Sequence, residues 1–141
     1  MNNPSVNRYL KDKVFDHLDH ALGRPVNPLA ESYRNYFAIG VENKLARDFS
    51  ASPNWRKTGQ RDDMAYFAVT DAGRKALAAH LRQIGDPWQA FSVTYDETTC
   101  IIVATSEADA KKRAFSSASE YYTDLTFRQF SRQISVERAA A

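Results

Sequence analysis

The residues best placed to do chemistry lie between positions 44 and 61. Lys44, Arg47, Arg56, Lys57 and Arg61 stand there against a single acid, Asp48. Cations grouped in this way neutralise phosphates and reach base edges, so the run fits double-stranded DNA. Asn43 and Asn54 add amide hydrogen-bonding capacity. Against this, Asp62 and Asp63 follow at once and repel a phosphate backbone, and a solvated charged face is the competing explanation. A second cluster, Asp16-His17-Leu18-Asp19-His20, puts two imidazoles one helical turn apart beside a carboxylate, a partial set for a divalent cation. It lacks a nearby third histidine and any His-Glu-x-x-His pattern, so it reads as a polar helix face and no metal ligand is assigned. Cys100, followed by Ile101 and Ile102, reads as a buried, inert strand thiol. No Gly-x-Ser-x-Gly, phosphate-loop or dinucleotide-binding glycine pattern occurs, so neither catalytic residues nor a cofactor are assigned. Each of the seven tyrosines reads as a packed ring with its hydroxyl at the protein edge. Tyrosines exposed together with arginines would instead mark a protein interface.

These residues must be positioned by a chain of 141 residues with 43% hydrophobic and 26% charged residues and a net charge of +2. Such a composition suits a folded domain and excludes wholesale disorder. One cysteine excludes an internal disulfide. No secretory leader, lipidation motif or apolar run near the ~20 residues of a membrane span occurs. The expectation is therefore a cytoplasmic protein with no membrane association.

Apolar residues at Val6, Leu10, Val14, Leu18 and Leu22 have a helical period and predict a helix over 6–22, with Gly23 just past its end. After Pro25 and Pro28, further helices are predicted over 29–39 and 41–49. A hairpin follows, with strands at 54–58 and 64–69 around a polar turn at 59–63, and the returning strand covered on both faces. Thr70 is placed as the N-cap of a helix running to about 83. Gly85-Asp86-Pro87 is the best boundary. Beyond it the pattern gives strands over 88–95 and 99–104 and a helix over 107–122 capped by Ser106. A short piece capped by Thr123 or Asp124 and a strand at 134–136 complete it. The C-terminal alanines 139–141 read as a frayed end.

The segment Tyr66-Phe-Ala-Val-Thr-Asp-Ala-Gly-Arg-Lys-Ala-Leu77 resembles the second wing strand and following helix of MarR-type winged-helix proteins. The chain also resembles small phage- and prophage-encoded proteins in which a Tyr-Arg-Asn-Tyr/His-Phe segment precedes Phe-x-Val-Thr-Asp-x-Gly. Here these are Tyr33, Arg34, Asn35, Tyr36 and Phe37, then Phe67, Val69, Thr70, Asp71 and Gly73. The resemblance implies a fold rather than an activity, and the long terminal dimerisation helices of MarR-type proteins are missing.

The fold class expected is α+β: a winged-helix-like unit over 5–84 followed by a small ββαβ unit over 88–138, packed on the first. Three functions compete. One is a phage-derived DNA-binding or regulatory module using Lys44, Arg47, Arg56, Lys57 and Arg61. The second is a protein-interaction module acting on a host or phage partner. The third is an enzyme or metal protein built on His17 and His20.

Overall fold

The computed structural model describes residues 3–122 and 124–139. The fold is α+β, with two small three-stranded antiparallel sheets. The chain divides into two compact units, residues 5–86 and residue 87 onward.

The first unit runs α1 (Lys13–Ala21), β1 (Phe37–Gly40), α2 (Lys44–Ala51), β2 (Trp55–Arg61), β3 (Met64–Val69) and α3 (Asp71–Gln83), with sheet order β1-β3-β2. Three successive helices were expected before the hairpin; the structure has two, separated by β1. The helix expected from residue 6 starts only at Lys13, capped by Asp12, whose carboxylate accepts from the Val14 amide. Residues 6–10 alternate instead: Val6, Arg8 and Leu10 are buried, Asn7 and Tyr9 exposed. Val6 and Leu10 are four apart, a spacing that suits either a helix or an extended chain. The helix expected over 29–39 is an irregular segment leading into β1. Carbonyls in it and just before it are held by side chains: Asn3 donates to Asn27 and Glu31, and Arg74 to Pro28 and Ala30. Only α2, close to the expected 41–49, lies between β1 and β2.

The expected hairpin forms, but β2 continues to Arg61 and only Asp62 and Asp63 make the turn. Asp62 takes a positive φ of 54° there, a conformation that Asp tolerates better than most residues. Ala65, Phe67 and Val69 face the core with Ile39, Phe49, Trp55 and Leu77. On the other face of β3, Ala68 is buried while Met64 and Tyr66 are half-buried, so that face is covered at its Ala68 end and less so toward the turn. Thr70 caps α3 by accepting from the Gly73 amide at 3.1 Å. Gly73 lies against the Asn54 carbonyl, which any Cβ there would overlap. The two resembling motifs meet in this sheet. Phe37 pairs with Phe67, and the Asn35 amide group bridges both the N–H and the C=O of Val69, at 2.8 and 3.0 Å.

Both α1 and α3 end in the same turn. The amides of Gly23 and Arg24 donate to His20 and Asp19, and those of Gly85 and Asp86 to Arg82 and Leu81. The glycines have φ of 80° and 70°, as this helix-ending motif requires. The next residue in each case enters a buried ion network. Arg8 makes a two-pronged pair with Asp19 at 2.8 and 3.0 Å, reaches Asp86 at 3.1 Å and donates to the Pro25 carbonyl at 2.7 Å. Arg24 reaches Asp16 at 2.7 Å and Asp19 at 3.2 Å. Asp19 is fully buried.

The second unit runs β4 (Gln89–Tyr95), β5 (Thr98–Ala104), α4 (Glu107–Ala118), α5 (Phe127–Gln133) and β6 (Ser135–Arg138), with sheet order β5-β4-β6. Asp96 and Glu97, both at positive φ, form the two-residue turn that matches strand twist. Ser106 caps α4 as expected, but the helix stops at Ala118. Of the caps expected for the next piece, Thr123 lies outside the described residues and Asp124 is not used. Thr126 does the work, in a reciprocal cap with Gln129. Of the frayed end expected at 139–141, Ala139 is instead held, its amide donating to the Ala90 carbonyl at 2.9 Å, and 140–141 lie outside the described residues. Phe91, Val93, Ala104, Ala110, Ala114 and Phe130 form this unit's core.

Removing one partner from a buried, hydrogen-bonded ion pair strands the other charge and costs about 3–5 kcal/mol. Arg8→Ala should therefore lower the urea-unfolding free energy by that amount, while Lys11→Ala, at an exposed position, should change it by less than about 0.5 kcal/mol. Equal effects of the two would show that the network does not stabilise the unit.

Candidate nucleic-acid interface

The five sequence-selected cations are all exposed. Among the described residues none of them forms an ion pair, and only Lys57 has a side-chain partner, the Gln60 Oε1 at 2.7 Å. Arg8, Arg24 and Arg74, by contrast, are all spent on structure.

Strand register sorts the five. Lys57 pairs with Phe67 and so points to the face that α2 covers. Thr58 is then bulged out of the ladder, between the pairs Lys57–Phe67 and Gly59–Tyr66. The extra residue moves everything after it by one face. Gln60 therefore shares the Lys57 face, while Arg61, opposite Met64, shares the face of Arg56, opposite Ala68. Arg47 and Lys57 line one cleft of about 320 Å³ with Val41, Ala46, Ser50, Ala51, Ala65 and Phe67. The structure thus brings Arg47 and Lys57 together and sends Arg56 and Arg61 to the opposite face of the hairpin.

Lys44 occupies the first position of α2, after the Asn43 cap, and no acid stands in that first turn. A cation there opposes the positive end of the helix dipole. Helix stability does not account for it.

The histidines sit at the core edge. His17 makes edge contacts with the rings of Phe37 and Phe49, at 5.5 and 6.0 Å between centroids, and His20 with Phe37 at 5.8 Å. Asp16 is engaged by Arg24 and by the Leu10 amide. Among the described residues no group of three or more His, Cys, Asp or Glu side chains could hold a metal ion. Cys100, expected to be buried, is exposed on β5.

Sequence reasoning missed a second surface. Tyr9, Tyr33 and Tyr36 are 77%, 65% and 51% exposed. The Arg24 guanidinium lies 4.4 Å from the Tyr9 ring centre, and that of Arg34 lies 4.4 Å from Tyr36. The Arg34 Nε is buried and has no hydrogen-bond partner among the described residues. The signal was the dense Tyr-Arg-Asn-Tyr string itself, which assigning each ring separately to packing obscured. No family model, curated protein or solved structure matches the chain.

Burial pushes the His17 pKa below the ordinary imidazole value of 6.5, more than the Asp16 charge raises it. The unfolded chain therefore takes up this proton first, and stability falls as pH drops below 6.5 toward the folded value. For Asp16, desolvation raises the pKa, but the Arg24 and Leu10 hydrogen bonds and the Arg24 charge together lower it below 3.8. Its contribution is present above 3.8 and lost as pH falls through the folded value. Urea midpoints should decline below pH 6.5, and His17→Phe should flatten that decline. An unchanged slope in the variant would remove His17 as its source.

Proposed function

We propose that α2 and the β2–β3 hairpin form a binding surface for duplex nucleic acid, and that the chain is a DNA-binding or regulatory module. The observation that carries this is the set of exposed cations without ion-pair partners at Lys44, Arg47, Arg56, Lys57 and Arg61. α2 enters the major groove, which admits a helix, and carries Lys44 and Arg47 to the duplex, with Lys57 beside Arg47. Arg56 and Arg61, on the other face of the hairpin, reach flanking phosphates. Asp62 and Asp63 at the tip oppose those phosphates. In this reading the unit is a reduced winged helix, with α2 as the reading helix and the hairpin as the wing.

The test is fluorescence anisotropy with a random duplex. Five phosphate contacts give a salt slope near −4.5, so affinity should fall about 500-fold for a fourfold rise in salt. Arg56→Ala with Lys57→Ala should weaken binding for all sequences and reduce the slope by about 2. Asp62→Asn should tighten it. Absence of binding at low salt, or a slope unmoved by the double variant, would overturn the assignment.

A second reading, a protein-interaction module, is favoured by the Tyr9, Tyr33 and Tyr36 surface with its stacked arginines, since Tyr and Arg dominate interface hot spots. Here the expectation is that Tyr33→Ala with Tyr36→Ala leaves nucleic-acid affinity within about twofold but abolishes capture of a protein partner identified with the intact chain. Unimpaired capture by the double variant would exclude this surface.

A further inference from the structure

Four strands lie at sheet edges: β1 and β2 in the first unit, β5 and β6 in the second. An exposed edge is a template for another strand, and proteins blunt it by shortness, charge or a bulge. β1 has four residues; β6 has four and includes Glu137 and Arg138. β2 carries Arg56, Lys57 and Arg61 and is bulged at Thr58.

β5 has none of these devices. Its seven residues, Thr-Thr-Cys-Ile-Ile-Val-Ala, contain no charge, proline or glycine. Its pairing with β4 runs through all seven positions without a register shift. Five of the seven are β-branched, as strands favour. Among the described residues no hydrogen bond reaches the β5 backbone from outside β4. Beside it, between β5 and α4, lies an apolar cleft of about 350 Å³, whose walls include Cys100, Ile102, Ala114 and Ala118.

We propose that β5 is a homodimerisation edge, pairing antiparallel with β5 of a second copy. The strand is complementary to itself under a twofold rotation about Ile101. Thr99 then faces Val103 of the partner subunit, and Cys100 faces Ile102 of the partner subunit. β-branched and apolar side chains meet, and no like charges oppose one another. The contact is isologous and closes at two copies, because each chain spends the one bare edge among its described residues in making it. The axis is perpendicular to the sheet, so both α4 helices lie on one face of a continuous six-stranded sheet. The two apolar clefts then flank the dyad.

Sedimentation equilibrium of the full chain across the micromolar range tests this. The wild type should be a monomer–dimer equilibrium. Thr99→Lys, at an exposed position, adds the charge that protected edges carry and should raise the dimer Kd at least about tenfold. Its circular dichroism should be unchanged. Ile101→Lys, on the dyad, should do the same, and if it fails to fold the exposed Thr99 variant decides. Cys100 is the one cysteine, so a short bismaleimide should join two wild-type chains and not two Thr99→Lys chains. A wild type that stays monomeric throughout, or a dimer that folded Thr99→Lys leaves intact, would overturn the proposal.

Discussion

The buried pair between Arg8 and Asp19 is the constraint on which the first unit depends. A guanidinium and a carboxylate out of water are tolerable only when every strong donor and acceptor is answered. Arg8 is answered by Asp19, Asp86 and the Pro25 carbonyl, and Asp19 by Arg8 and Arg24. The partners come from the extended N-terminal segment, from α1 and from the residues that follow α1 and α3. Two glycine-terminated helix ends deliver Arg24 and Asp86. Gly23 and Gly85 therefore matter less as stops than as the turns that aim the next side chain. The same network fixes residues 6–10 as an extended segment, since a helix there could not keep Val6, Arg8 and Leu10 all buried.

With those arginines consumed inside, the exposed cations of α2 and β2 are, like Lys11, Lys75 and Arg82, ones the fold does not use; what sets them apart is their concentration on two adjoining elements. The bulge at Thr58 is what shapes them into a surface. An unbroken strand would put Lys57 and Arg61 on one face and leave Arg56 alone on the other. The extra residue turns this into a two-sided arrangement, with Lys57 beside Arg47 and Arg61 beside Arg56. The bulge and the charges also guard β2 against edge pairing. That protective role is compatible with a binding role, since an edge strand whose cations meet a duplex must not be sealed by another strand.

Much of this was legible from residues. The β2–β3 hairpin, the Thr70 and Ser106 caps, the Gly23 stop and the strand–strand–helix–strand frame of the second unit all rest on local chemistry, and local chemistry decided them. Most of the failures share one cause, long-range pairing. Val6 and Leu10 fit two periods, and the buried Arg8 between them hid the alternation. Residues 29–39 carry helix-compatible apolar spacing, but Asn3, Arg74 and the β3 backbone compete for their groups. Asp19 looked like a solvated acid because its partner is eleven residues away and on another element. The candidate cations were legible by type; their division between two faces was not, because a bulge has no reliable sequence mark. Cys100 was misplaced because an apolar strand was taken to be a covered one.

The most direct test of the central claim is a residue-resolved map of the complex. Amide chemical shifts of the chain should be followed as a short random duplex is added at low salt and then reversed with added salt. The account predicts shifts concentrated in α2 and the β2–β3 hairpin, at 44–47 and 56–63, that vanish together as salt rises. Shifts centred on Tyr9, Tyr33 and Tyr36, or no shifts at any salt concentration, would contradict it.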